Sequence, residues 1–202
     1  MTKAQKQLKK KSAFKSEFES VFTADEARAI WANAEKRLDE MYQKYSSLPK
    51  GVRMHTDSYI FPAAAMYLSA KEFSQEKAFA VMQKVMKEIA TKSGRQMNKL
   101  AKLPGGKWLI LKMWDVMSHK MFSEGAGFRN VFYPKQKGQF KMDIVQCPYN
   151  TYLSELGCPE LARLFCENDI YQHGNLTGLK FVRTQTIATG GDKCDFMMVR
   201  EK

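Results

Sequence analysis

The chain has 202 residues, 44% of them hydrophobic and 12% aromatic, with a formal net charge of +12. That length fits one domain, or one domain with an extension, and it can bury a core without disulfide staples. No run of about 18 apolar residues exists, which excludes a membrane-spanning helix.

The first element is a lysine-rich arm. Lys3, Lys6, Lys9, Lys10, Lys11 and Lys15 fall in residues 1–15 with no acid among them, so half of the excess charge is terminal. The rest of the chain mixes signs, and the arm has few aromatics and no recognised binding motif, which argues against nucleic acid as the partner. We read residues 1–20 as a basic arm, a solvated, frayed or helical tail, with docking to an acidic surface as the alternative. Ser12–Phe22 is interrupted by Lys15, Glu17 and Glu19, so no secretory apolar run follows, and a cytoplasmic location is expected.

Residues 21–202 are expected to form a single domain, helical over 21–125 and sheet-containing over 126–202. Thr23 with Glu26 forms a capping box before a stripe of Ile30, Ala34, Leu38 and Met41. Leu48–Gly51 ends that helix, and Pro62 suits the first turn of a short one. Ser74 caps a helix with the stripe Phe79, Met82, Val85, Met86 and Ile89. After Pro104-Gly105-Gly106, Trp108, Leu111, Trp114, Met117 and Met121 mark another. The period then changes. Residues 128–133 and 139–145 read as strands, Tyr149–Gly157 and Pro159–Gln172 as helices, and Leu179–Thr189 with Lys193–Arg200 as a hairpin. The order β-β-α-α-β-β gives an α+β fold: a helical half packed on a small four-stranded antiparallel sheet with two helices.

All four cysteines (Cys147, Cys158, Cys166 and Cys194) lie in 50 residues that also hold Asp169, Asp195 and Arg183. In a reducing compartment such thiols are catalytic, metal-binding or simply buried. Cys166 and Asp169 share a helix face, but a carboxylate raises a neighbouring thiol's pKa, so the pair needs a base, a metal or a cationic substrate. Cys194 and Phe196 share one face of the last strand. Arg183, placed mid-strand, needs a carboxylate from the protein or from a ligand. His55 precedes a helix, where it serves structure or faces a cleft. Spacing gives no support to a metal held by Cys147, Cys166 and Cys194, because no C-x-x-C is present. Hydrolase-elbow, dinucleotide and P-loop motifs are absent, and no cofactor motif is found.

Taken together, Cys147-Pro148-Tyr149, Gly157–Leu161, Phe165–Asp169, Phe181–Thr186 and Gly190–Phe196 resemble the L-2-amino-thiazoline-4-carboxylic acid hydrolase family, as does His55–Ala70. The resemblance spans about residues 50–200 and is strongest over 147–196. It implies a hydrolase that opens a small cyclic amidine carrying a carboxylate: water adds to the carbon between sulfur and nitrogen, and the sulfur leaves. On that reading Arg183 would hold the carboxylate and Asp169 the amidinium. Cys166 would be the nucleophile or a metal ligand, and His55 would move the proton. Cys194, Cys147 and Tyr149 would line the pocket. The C-terminal pattern is also similar to the vinyl-reductase-like small-ligand domains, which implies the alternative of a non-enzymatic small-ligand or metal-binding module. Homo-oligomerisation is left open.

Overall fold

In the computed structural model, which describes residues 1–201, the lysine-rich segment forms helices α1 (Lys3–Lys9) and α2 (Ser12–Val21). Ala4, Leu8, Phe14 and Phe18 are buried in the same core as Ile30, Leu38 and Phe61. This corrects the reading of a solvated tail. The lysines dominate the composition, yet a spacing of four puts Ala4 with Leu8, and Phe14 with Phe18, on inward faces. Lys3 is tied down by Asp57 at 2.6 Å.

Helix α3 (Ala24–Lys44) starts at the expected capping box. The Glu26 N–H donates to the Thr23 hydroxyl at 3.3 Å, and the Thr23 N–H donates to the Glu26 carboxylate at 2.8 Å. Helix α4 (Lys50–His55) then runs through a wide π-type turn, Thr56–Ile60, into α5 (Phe61–Lys71). Pro62 therefore continues a helical run where a fresh start was expected. The cause is its missing N–H. Phe61 donates to the carbonyl of Thr56, five residues back, and the Ser58 carbonyl, which Pro62 cannot serve, accepts from Gln7 Nε2 at 3.0 Å.

Ser74 caps the long helix α6 (Gln75–Ala101), and α7 (Gly106–Met121) follows Gly105, whose φ is +76°. Ile89, expected on the buried stripe of α6, is 51% exposed. The remaining elements are β1 (Arg129–Phe132), β2 (Gln139–Gln146), α8 (Pro148–Glu155), α9 (Glu160–His173), β3 (Leu179–Val182) and β4 (Cys194–Arg200). The sheet order is β1-β2-β4-β3 with all pairs antiparallel, which is the expected α+β architecture. Helix α9 lies close against α6. A Cβ on Gly94 would stand 2.7 Å from the Tyr171 carbonyl oxygen, so only glycine admits this approach. No helix among the described residues is long and apolar enough to cross a membrane.

Strand β3 stops at Val182, whereas alternation predicted a strand to Thr189. The carboxylate of Asp195 accepts the N–H groups of Thr184 and Gln185, each at 2.9 Å, and the Thr184 hydroxyl at 2.6 Å. Those amides are bound by a side chain rather than a neighbouring strand, so the chain turns away as a loop.

Two cores result, one among the helices and one between α7 and the sheet. On β2 and β4, Ile144 faces Cys194, Met142 faces Phe196, and Phe140 faces Met198; all six are buried. Tyr149 packs against both cores and marks the seam between them.

Candidate active site

A cavity of about 430 Å3 opens at this seam. His55 from α4, Cys147 and Tyr149 at the start of α8, Cys166 and Asp169 from α9, and Cys194 from β4 all line it. Local structure explains each placement. Pro148 begins α8 and leaves Cys147 extended ahead of it, with Tyr149 in the first turn. Cys166 and Asp169 are three residues apart on one helix. Cys194 shares the inward face of β4 with Phe196. The other walls are largely apolar and include Trp114, Phe128 and Phe165.

Arg183 does not line the cavity. Its Nη1 donates to Asp169 Oδ2 at 2.9 Å and to the Cys166 carbonyl at 2.8 Å, and its side chain is 6% exposed. The carboxylate that this guanidinium needs is therefore one of the protein's own, and Arg183 sits just past the end of β3 rather than mid-strand. It stands behind α9 as a brace. Burial pushes the Asp169 carboxyl up to about 7, outweighing the Arg183 charge beside it.

The thiols differ by environment. Cys194 accepts the Ile187 N–H at 3.3 Å, is hydrogen-bonded by the Cys166 thiol, and feels the Arg183 charge. The Cys166 bond is the largest of these influences, and together they hold Cys194 below the usual thiol range. As the donor in that pair, and through burial, Cys166 is raised. Burial pushes Cys147 up to about 11. Cys158 belongs to the helical core, and burial pushes it up to about 12.

His55 is 2% exposed. Its Nε2 lies 2.9 Å from the Met121 carbonyl, which can only accept, so this nitrogen carries the proton. Nδ1 then accepts from the Tyr149 hydroxyl at 3.1 Å. Burial lowers the His55 pKa, outweighing the Met121 bond, and so favours the neutral ring. The expected position ahead of a helix is replaced by one inside the helical run.

The model of the L-2-amino-thiazoline-4-carboxylic acid hydrolase family matches residues 53–198. The chain belongs to this family. No curated protein and no solved structure matches it. Within the hydrolase-family region lie all six chemistry-bearing wall residues and Arg183; Lys11 and Phe14, which also line the cavity, lie outside it.

Among the described residues no three His, Cys, Asp or Glu side chains are grouped to hold a metal ion. Cys147, Cys166 and Cys194 thus share a wall without forming the donor set that the sequence left open. Sequence reasoning missed Lys11, Asn168 and His173. Asn168 lines the cavity, and its buried Oδ1 has no hydrogen-bond partner. His173 is buried edge-on to Trp114, with centroids 4.6 Å apart. A signal existed for Asn168, the immediate neighbour of Asp169; none existed for Lys11 within a run of lysines.

Proposed function

We propose that the cavity is the active site of a hydrolase that opens a small cyclic amidine bearing a carboxylate, with Cys194 as the nucleophile. One observation carries the reading. A thiol whose pKa is lowered and a carboxyl with a pKa near 7 line the same cavity. A group titrating near the working pH is suited to both giving and taking a proton.

The chemistry balances with these groups alone. The Cys194 sulfur attacks the amidine carbon, and the ring carbon–sulfur bond breaks. The departing sulfur takes a proton from Asp169, which leaves an isothiourea on Cys194. Water then attacks the same carbon and gives a proton back to Asp169, and Cys194 leaves as thiolate. The net change is addition of one water, and the product is a carbamoyl amine with a free thiol. Asn168 Oδ1 is available to accept an amidine N–H. Arg183 supports this site by orienting Asp169 and by favouring the Cys194 thiolate, in place of the carboxylate-binding role inferred from sequence. The nucleophile's role passes from Cys166 to Cys194, because the Ile187 N–H donates to the Cys194 sulfur and the Arg183 charge favours its thiolate. His55 acts by positioning Tyr149.

Turnover of 2-amino-thiazoline-4-carboxylate, followed by thiol release, tests the reading. Wild type should release thiol, Cys194→Ser should not, and Cys166→Ser should retain partial activity. Absence of turnover by the wild-type protein would exclude this substrate. The largely apolar wall favours a second reading, a non-enzymatic small-ligand module, which a tightly co-purifying ligand without any hydrolysis would support.

A further inference from the structure

Lys11 is the one lysine or arginine, among the described residues, that lines the cavity. It occupies the turn between α1 and α2 and is half-buried, with Nζ 5.3 Å from the centre of the Tyr59 ring. Five of the arm's other lysines are exposed. Among the described residues no acidic side chain forms an ion pair with Lys11, and both burial and its neighbour Lys10 disfavour its charge. A half-buried ammonium without a counter-ion is incompletely compensated, and an arriving anion supplies what is missing. Arg183 cannot fill that need, because Asp169 and the Cys166 carbonyl already engage it. Tyr59 stands next to Lys11, and Ile89 and Phe14 line the same cavity; Tyr59 and Ile89 are 47% and 51% exposed. Large apolar side chains left open beside a cation suit a ligand with one anionic end and an apolar body.

We infer that Lys11 is the carboxylate anchor of the cavity, and that its ligands are carboxylates with an apolar portion lying against the aromatic and aliphatic walls. This rests on the reading that the cavity is the substrate site. It also assigns part of ligand selection to a residue outside the matched family region.

Calorimetric titration of the full chain with octanoate and with octanamide tests the inference. The two probes share a body and differ in charge. Wild type should bind octanoate about tenfold or more tightly than octanamide, as expected for a charge-assisted contact. Lys11→Met, which keeps the bulk against Tyr59, should abolish the preference, and Lys11→Arg should retain it. Equal binding of the two probes by wild type, a preference that survives Lys11→Met, or no saturable octanoate binding would each overturn the inference. Thiazoline turnover measured in parallel separates the two readings. Hydrolysis with an unchanged KM in Lys11→Met removes Lys11 and leaves the hydrolase. A Lys11-dependent octanoate preference without hydrolysis removes the thiazoline reaction and leaves the anchor.

Discussion

The Tyr149 hydroxyl donates to Nδ1 of His55 across 3.1 Å, though 94 residues separate them in the chain. The bond joins α8 to the end of α4 and fixes one wall of the cavity. His55 also meets Phe128 edge-on at 5.1 Å.

Replacing His55 by alanine strands the Met121 carbonyl and the Tyr149 hydroxyl in a buried setting. The expected loss is about 2–6 kcal/mol, since each orphaned buried polar group costs about 1–3 kcal/mol. Urea denaturation of His55→Ala measures it. Tyr149→Phe removes only one of the two bonds and should cost less.

Phe18 is 1% exposed within the helical core. Phe18→Ala should lower stability by about 3–5 kcal/mol, the usual cost of emptying a buried aromatic site. A loss under about 1 kcal/mol, the level of an ordinary surface substitution, would return residues 1–21 to the status of a tail.

Two buried groups should give opposing pH dependences. Burial, helped by Arg183, pushes His173 down to about 4. The unfolded chain binds that proton at higher pH than the folded one, so this contribution is present above about pH 6.5 and is lost on acidification toward 4. Asp169, raised to about 7, does the reverse: its contribution is present below pH 3.8 and is lost as pH rises to 7. Relative to wild type, His173→Phe should therefore lose stability as pH rises from 4 to 7, and Asp169→Asn should gain it. The change should amount to about 3 kcal/mol for His173→Phe and about 4 kcal/mol for Asp169→Asn over the window. Parallel stability profiles for the two variants would refute the assignment.

Iodoacetamide should alkylate Cys194 first, with a midpoint lower than that of the other three thiols. Cys158 should react only on denaturation. Arg183→Met should raise the Cys194 midpoint, because it withdraws the nearby positive charge. It should also cost about 3–5 kcal/mol by leaving Asp169 without its partner.

The elements that could be read from sequence were those with a local cause. The Thr23–Glu26 box, the Ser74 cap and the change of period near residue 127 each depend on neighbours within a few positions. Arg183 shows where such reading stops. Alternation placed it in a strand, but a carboxylate twelve positions later, Asp195, takes the amides that follow it. The arm failed for a different reason. Six lysines outweighed the spacing of Ala4, Leu8, Phe14 and Phe18, and no local rule says which surface those four would meet. The cavity's sulfur and acid groups were nameable because they cluster in sequence. Which thiol is the more acidic was not, because it depends on the Ile187 amide and on Arg183 lying behind the wall.

The wide turn at Thr56–Ile60 holds one more residue than an α-turn would. An α-helix advances about 100° per residue, so removing one residue there would rotate α4 by roughly that angle relative to α5. Helix α5 is anchored on nearly every side, so α4 would have to yield, swinging His55 away from Tyr149. The spare residue thus works as an indexing notch that clocks the imidazole onto its partner, and a single-codon deletion in this stretch would disconnect the two while sparing every residue named in the chemistry.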